Sequence, residues 1–298
     1  MSTLSTPSFL ASGQCLICDR VNQADAVVCC ACGAPMTLIN EAIEQQREPR
    51  IITILGESNV GKTVYLGFLL DMLSKRAGGL EAIPKGAYSV NLQQAVIAYM
   101  SARQFPPKTP LEVDHWKWAY YQVRRQRELD EEWFDLLLPD MAGEALAEEI
   151  ETPQTYRAIT GLLSKSMGAL LLIDAAVAAS GSPHPDYFAL KLMSYVDKAF
   201  AIGRGARAKN PIAVVLCKAD YCPECFDNPR VFAQTNLNRL WNLCDSRFQN
   251  VEFFAASTVG ALGFATSDNG QVIPMPLHAA PRGIMEPFEW ILGRIQAD

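Results

Sequence analysis

The sequence predicts an α/β protein in which a doubly wound, mostly parallel sheet carries a small cysteine-rich module at its N-terminal side. Five short apolar runs lack clean alternation, which is typical of strands buried on both faces. Helix-length segments separate these runs, and strands that alternate with helices indicate βαβ units. Five of the nine cysteines fall within the first 32 residues. We therefore predict a cysteine module over residues 13–36, a linker over 37–50 and one α/β domain over 51–298.

The apolar runs and the segments between them define the predicted elements. The predicted strands are Ile51–Leu55, Trp133–Leu138, Ala169–Ile173, Ile212–Leu216 and Val251–Ala255. The predicted helices are Lys62–Lys75, Glu144–Ser166, Tyr187–Ala201, Val231–Phe248 and Pro287–Gln296. The segment Val113–Arg125 alternates and is aromatic, so we expect an edge strand that forms a hairpin with the second apolar run. Pro49 closes the polar stretch before the first strand and favours a linker there.

Charge and hydropathy exclude several classes of protein. The net charge is -6, whereas a protein that binds the phosphate backbone of nucleic acid needs an excess of basic residues. No apolar run approaches the roughly 18 residues that span a bilayer, and Asp174 interrupts the best one. The first residues have neither a basic start nor a long apolar stretch, so they do not read as a secretory signal. We predict a cytoplasmic protein, in which thiols stay reduced.

Four of the N-terminal cysteines form two C-x-x-C pairs separated by ten residues. This spacing brings four thiolates to the corners of a tetrahedron around one Zn²⁺, and four protein ligands leave no open position for catalysis. We predict a structural zinc ribbon whose ligands are Cys15, Cys18, Cys29 and Cys32. Because residues 1–50 carry three basic and five acidic side chains, a protein partner is favoured over nucleic acid.

The other cysteines have no such pattern. Cys30 is surplus to the ribbon, and a further C-x-x-C pair, Cys222 and Cys225, has no assigned role. That pair could bind a second metal only if Cys217 and Cys244 converge on it.

Residues 56–63, GESNVGKT, fit the phosphate-loop pattern G-x-x-x-x-G-K-[ST]. They follow a predicted strand and open a predicted helix, where backbone N–H groups and the helix N-terminus favour anions. In this pattern Lys62 reaches the β- and γ-phosphates and the Thr63 hydroxyl binds Mg²⁺. The predicted nucleotide contacts are Gly56, Glu57, Ser58, Asn59, Val60, Gly61, Lys62 and Thr63.

Two later motifs follow strand ends in the same way. The second apolar run ends in Asp140-x-x-Gly143, which places a carboxylate on the Mg²⁺ shell and a glycine N–H on the γ-phosphate. After the fourth run, Cys217-Lys218-Ala219-Asp220 resembles the [NT]-K-x-D motif of P-loop GTPases. There the aspartate accepts two N–H groups of guanine, which adenine does not offer, and the lysine stem covers the base. Cys217 departs from the asparagine or threonine that braces the phosphate loop.

Together these motifs resemble the translation-factor-related (TRAFAC) class of P-loop GTPases, with a Ras-like G domain, over about residues 51–298. The cysteine pairs, the long segment after the first helix and the sequence Pro-Pro-Lys-Thr are similar to bacterial double-GTPase proteins. The resemblance implies a switch that hydrolyses GTP to GDP with Mg²⁺, in a bacterial signalling or conflict system. It also implies GTP, Mg²⁺ and Zn²⁺ as cofactors, and a protein partner or a dimer of G domains.

The resemblance assigns further roles. Thr109 corresponds to the threonine of the switch I loop, which binds Mg²⁺ through its hydroxyl, and Glu144 stands where the family's glutamine orients water. Ser257 lies in a loop similar to the one that contacts guanine O6. We therefore expect Lys62, Thr109 and Glu144 to carry catalysis, slowly, since no arginine is placed as a finger. Asn59 could coordinate potassium, or could simply suit a left-handed turn.

Two alternatives remain open at this stage. Glu144 in place of glutamine and Cys217 in place of asparagine would suit a nucleotide-binding scaffold that does not hydrolyse and that acts through its zinc ribbon. The protein could also be an ATPase. Asp220 discriminates, because only a guanine site needs its carboxylate.

Overall fold

Seven strands form one sheet in the order β2-β3-β4-β1-β5-β6-β7 in the computed structural model, which describes residues 13–76, 79–126, 131–200, 207–266, 270 and 272–295. The strands are β1 Arg50–Gly56, β2 Leu80–Lys85, β3 Lys117–Gln126, β4 Glu131–Asp140, β5 Ser166–Asp174, β6 Ile212–Cys217 and β7 Val251–Ala255. Strands β4, β1, β5, β6 and β7 are parallel, while β2 and β3 run antiparallel to their neighbours. The predicted α/β class is confirmed.

Helices cover both faces of this sheet. They are α1 Thr37–Gln45, α2 Lys62–Ser74, α3 Gly86–Ser101, α4 Gly143–Glu151, α5 Arg157–Lys165, α6 Ala175–Ala179, α7 His184–Phe200, α8 Glu224–Asp227, α9 Pro229–Asn236, α10 Asn238–Arg247 and α11 Met285–Arg294. One face buries α2, α3 and α11. The other face buries α1, α4, α5, α7, α9 and α10 together with the cysteine module. None of the helices in the described ranges is long and apolar enough to cross a bilayer.

Two of the helices that we predicted are each divided. The predicted helix Glu144–Ser166 is wrong as one element, because Pro153 cannot occupy a helix interior and separates α4 from α5. The predicted helix Val231–Phe248 divides at Leu237, whose φ of -131° leaves the helical region. The residues on either side of Leu237 are asparagines, which favour caps and turns over helix interiors.

The hairpin of β3 with β4 forms as predicted, with Lys117 opposite Asp140. However, β3 is not the edge of the sheet, because β2 pairs with its other side and places Leu80 opposite Arg125. Pro84 is tolerated in β2 because an edge strand has one side free of ladder hydrogen bonds. Strand β2 and helix α3 together form an insertion between α2 and β3.

The residues expected to be a linker, 37–50, begin with a helix. Helix α1 buries Leu38, Ile39 and Ala42 in the same core as the cysteine module. Only a short irregular segment then leads into β1. The cysteine module is therefore packed against the α/β domain over a continuous apolar surface.

A second, two-stranded sheet follows β7 directly. Its strands are β8 Ser257–Thr266 and β9 Val272–Arg282, which pair antiparallel with several register shifts. These two strands were not predicted from the sequence. Phe264 and Val272 are exposed on this hairpin, which reaches over the C-terminal ends of the parallel strands.

Candidate functional site

A cavity of about 1150 Å³ opens at the C-terminal ends of the parallel strands. Its walls come from the phosphate loop, residues 102–109, the residues after β5 and β6, and the β8–β9 hairpin. Open α/β sheets place ligands at this edge, where the neighbouring connections diverge. The motifs predicted from the sequence therefore meet around one cavity.

The phosphate loop turns between β1 and α2 through residues in unusual backbone conformations. Gly61 has a φ of 101°, and a side chain on Gly56 would lie 2.7 Å from the carbonyl oxygen of Leu172. Asn59 has a φ of 64°, a region that asparagine tolerates, so its presence requires no cation. The Lys62 Nζ donates to the carbonyl oxygens of Gly56 at 2.9 Å and Glu57 at 3.0 Å.

Lys62 is 7% exposed, and desolvation lowers its pKa. Nearby carboxylates, Asp140 first, oppose this shift. The ammonium group thus lies folded against its own loop.

Two hydroxyls and one carboxylate converge beside Lys62. Asp140 Oδ2 accepts hydrogen bonds from Thr63 Oγ1 at 2.8 Å and from Thr109 Oγ1 at 3.1 Å, and the two hydroxyl oxygens lie 3.3 Å apart. Thr109 is 46 positions from Thr63 and 31 from Asp140 in the chain. The structure therefore brings together the three residues that we predicted as Mg²⁺ ligands.

Asp140 is 1% exposed, and its Oδ1 has no hydrogen-bond partner among the described residues. Desolvation raises the pKa of Asp140, although Thr63 and Lys62 oppose the shift. A buried carboxylate oxygen without a protein donor is costly, and a cation or a water molecule would satisfy it. Hard oxygen donors of this kind are the ligands that Mg²⁺ prefers, so the cluster fits that ion.

Glu144 connects the phosphate loop to the loop that carries Thr109. Its Oε1 accepts hydrogen bonds from Ser58 Oγ at 2.7 Å and Lys108 Nζ at 2.9 Å. These bonds, that from Ser58 first, lower the pKa of Glu144 to about 2, so it is a carboxylate at neutral pH. A side chain on Gly143 would lie 2.3 Å from the Ser58 nitrogen, so only glycine fits here. This partner of Lys108 was not predicted from the sequence.

The predicted base-recognition residues lie on the other side of the cavity. Asp220 Oδ1 accepts a hydrogen bond from Ser257 Oγ at 2.7 Å, and the same hydroxyl lies 3.0 Å from the carbonyl oxygen of Val259. Ser257 thus orients the Asp220 carboxylate through its side chain, a role that was not predicted. Thr258 and Val259, rather than Ser257, line the cavity.

Sequence reasoning missed Asp174. This residue ends β5, accepts a hydrogen bond from Lys218 Nζ at 2.5 Å and caps α6 by accepting from the Val177 N–H at 3.1 Å. Its place at the C-terminal end of a parallel strand was the available signal. Lys218 itself has a φ of 57°, which lets the chain turn after β6.

Cys217 is buried, and burial raises its pKa. Within the described residues its thiol makes no hydrogen bond that would brace the phosphate loop.

The four predicted ribbon cysteines form one cluster whose sulfur atoms all lie within 4.8 Å of one another. Cys15 Sγ lies 3.6 Å from Cys32 Sγ, and Cys18 Sγ lies 3.5 Å from Cys29 Sγ. The backbone N–H groups of Ile17 and Ala31 donate to Cys15 and Cys29, both at 3.4 Å. Four sulfurs this close together, two of them with backbone N–H donors, fit a zinc site.

The other cysteines do not form a metal site. Cys222 and Cys225 are buried with their sulfur atoms 3.3 Å apart, but no second group of three or more ligands converges in the described ranges. Cys30 is exposed and lies outside the ribbon cluster.

The domain that carries the nucleotide motifs matches a known protein family. The sequence model of the Double-GTPase 2 family matches residues 50–269, which include every nucleotide motif described above. The chain belongs to the Double-GTPase 2 family. The family match begins after the cysteine ribbon, so the ribbon precedes the shared domain. No curated protein matches the chain.

Several solved structures are similar to this Double-GTPase 2 chain at low identity. The signal recognition particle receptor SRb-GTP/SRX complex from Chaetomium thermophilum is 13% identical, with 72% of this chain and 92% of that chain covered and a TM-score of 0.42. The GTP-bound Ski7 GTPase-like domain from S. cerevisiae is 16% identical, with 84% and 51% covered and a TM-score of 0.41. A GTP-binding protein from Sulfolobus solfataricus in complex with GDP is 14% identical, with 74% and 51% covered and a TM-score of 0.32.

Proposed function

We propose that this Double-GTPase 2 protein binds GTP with Mg²⁺ and hydrolyses it to GDP, and that the bound nucleotide sets its state as a switch. The observation that carries the proposal is the convergence of Thr63, Thr109 and Asp140 beside Lys62, where one buried oxygen of Asp140 has no donor among the described residues. A fold that buries a carboxylate oxygen in this way gains most when a cation binds there.

The phosphates would occupy the loop that Lys62 now fills. The Lys62 ammonium donates to two backbone carbonyl oxygens, and a phosphate oxygen is a stronger partner because it is charged. Thr63, Thr109 and Asp140 would hold Mg²⁺, which neutralises charge on the β- and γ-phosphates when it is bound. Thr109 would thereby connect the switch I loop to the presence of a γ-phosphate.

Glu144 is the residue that we assign to water. The side-chain hydrogen bonds from Ser58 and Lys108 both go to Oε1, so we assign Oε2 to accept a hydrogen bond from the attacking water. With its pKa at about 2, the carboxylate holds no proton at neutral pH and orients the water as an acceptor only. We expect slow intrinsic turnover, because orientation contributes less than a positioned cation.

Guanine specificity would come from Asp220. Ser257 donates a hydrogen bond to Oδ1. Oδ2 and the second lone pair of Oδ1 would then accept hydrogen bonds from the guanine N1–H and N2–H₂ groups. Lys218, paired with Asp174, would present its stem along the base. Adenine offers no donors in this arrangement and would leave the carboxylate unpaired.

The cysteine cluster would hold one structural Zn²⁺, because its four thiol donors leave no position open. The acidic excess of residues 1–50 favours a protein partner for the ribbon, and a dimer of G domains is the other candidate partner. A role in a bacterial signalling or conflict system and a cytoplasmic location stay predictions from the sequence.

Calorimetric titration of the purified protein with GTP, GDP and ATP in the presence of Mg²⁺ tests the proposal. Zinc is measured on the same sample. We expect both guanine nucleotides to bind, ATP to bind at least about 100-fold more weakly, and one zinc per chain. Equal affinity for ATP and GTP would refute guanine recognition, and tight binding of GTP that is unchanged by EDTA would refute the Mg²⁺ site.

A further inference from the structure

Thr109 reaches Asp140 from a loop that has little support of its own. Residues 102–110 have no regular secondary structure beyond the end of α3, and most of them are exposed. The ion pair between Lys108 and Glu144 is 62% and 43% exposed, and exposed pairs contribute about 1 kcal/mol or less. A further contact must therefore fix where the Thr109 hydroxyl lies.

The residue that follows Thr109 supplies this contact. The carbonyl oxygen of Pro110 accepts a hydrogen bond from the indole Nε1 of Trp116 at 3.1 Å. The indole N–H is the only donor of a tryptophan side chain. Here it donates to the backbone of the residue that directly follows Thr109.

Trp116 is well placed to act as a fixed point. It is 1% exposed, and its ring packs against the rings of Trp118 and Tyr156, each with centroids 6.3 Å away. Both neighbours belong to the α/β domain, because Trp118 lies on β3 and Tyr156 immediately precedes α5. A side chain held between two large rings transmits its position to the carbonyl that it bonds.

The cysteine ribbon supports the same turn from the other side. Gly33 has a φ of 74° and donates its N–H to the carbonyl oxygen of Cys29 at 2.9 Å, inside the ribbon cluster. Its Cα faces Val113, whose Cβ is 3.1 Å from where a Gly33 side chain would begin. Val113 starts the short 3₁₀ helix Val113–His115, which ends just before Trp116.

We propose that Trp116 is a positioning residue for Thr109, and that the turn 110–116, packed on the ribbon, is the anchor of the switch I loop. The proposal rests on the proposed function, since Thr109 matters only if it contacts Mg²⁺ beside a γ-phosphate. The ribbon then does more than stabilise the fold, because it forms the surface on which this anchor is built.

The test uses a pair of matched variants. Trp116→Phe removes the indole N–H that bonds Pro110, and Trp118→Phe removes an indole N–H that is buried with no hydrogen-bond partner among the described residues. Both lose the same atoms from rings that are 1% exposed, so both lose similar packing. Hydrogen–deuterium exchange of the nucleotide-free protein is measured over a peptide that covers residues 110–116, where the N–H groups of His115 and Trp116 donate to the carbonyl oxygens of Glu112 and Val113.

We expect faster exchange of this peptide in Trp116→Phe than in Trp118→Phe. We also expect Trp116→Phe to lower affinity for a non-hydrolysable GTP analogue with Mg²⁺ by about 3- to 10-fold, with GDP affinity within about twofold of wild type. Exchange in Trp116→Phe that is no faster than in the wild-type protein would overturn the proposal, and so would equal losses of affinity for GDP and for the analogue. Absence of Mg²⁺-dependent analogue binding in the wild-type protein would instead refute the proposed function, and the exchange comparison would still decide whether the anchor exists.

Discussion

Substitution of Asp220 by asparagine should change nucleotide preference from guanine to xanthine. The aspartate would accept two N–H groups of guanine, whereas an asparagine offers one oxygen and one NH₂ group. The Ser257 hydroxyl donates to Oδ1 of Asp220 at 2.7 Å. This hydrogen bond favours the asparagine oxygen, and not its NH₂ group, at the Oδ1 position. The amide nitrogen then occupies the Oδ2 position, where it opposes the guanine NH₂ group and suits the xanthine carbonyl.

The size of the effect follows from the two hydrogen bonds. Bonds to a charged group contribute about 1.5–3 kcal/mol each, so the pair is worth about 3–6 kcal/mol. Because Asp220 is exposed at the cavity, we take the lower end of this range. At about 1.4 kcal/mol for each factor of ten, GTP affinity should fall by about 100-fold or more.

Competition binding with GTP, XTP and ATP measures the change, and Asp245→Asn serves as the control because that exposed aspartate lies outside the cavity. The Asp220→Asn variant should bind XTP at least as tightly as it binds GTP. The Asp245→Asn variant should keep the wild-type preference for GTP over XTP. An Asp220→Asn variant that still prefers GTP over XTP would refute the assignment of this carboxylate to the base.

Four other results are expected, three for the nucleotide site and one for the cysteine ribbon. Thr109→Ala should lower affinity for a GTP analogue with Mg²⁺ about tenfold and leave GDP affinity nearly unchanged, and equal losses would remove Thr109 from the γ-phosphate side. Glu144→Ala should slow single-turnover GTP hydrolysis at least tenfold. Since the pKa of Glu144 is held at about 2, the wild-type rate should show no loss from its protonation between about pH 5 and 8. Cys29→Ser should abolish zinc content and lower the melting temperature by at least about 5 °C; an unchanged melting temperature would contradict a structural role for the ribbon.

The parallel strands could be predicted because burial on both faces leaves a plain apolar run. Strands β2 and β9 could not be predicted in this way, since β2 contains Pro84 and β9 contains Pro274 and Pro276. Proline disfavours a strand unless the strand lies at an edge, and a sequence does not show which strands are edges. Helix α1 was not predicted for a different reason. Its burial depends on the ribbon that packs beside it.

Some residues of the nucleotide site could likewise be predicted from the sequence, and others could not. Residues in the phosphate loop and at strand ends could be placed from the sequence, because a rigid strand and a helix fix each of them. The contacts of Lys108, Asp174 and Ser257 could not, since each joins residues at least 36 positions apart. Such pairings depend on how strands are ordered in the sheet. The bond from Trp116 to Pro110 is local, but its value depends on the buried rings that hold Trp116 in place.

Single-turnover incubation of the wild-type protein in excess over labelled GTP tests the central claim most directly. Parallel samples contain Mg²⁺, EDTA, or ATP with Mg²⁺ in place of GTP. We predict conversion of GTP to GDP and phosphate with Mg²⁺, no conversion with EDTA and no consumption of ATP. Recovery of intact GTP from a stable complex with Mg²⁺ would contradict hydrolysis and favour a nucleotide-binding scaffold, and hydrolysis of ATP at the rate of GTP would contradict the guanine site.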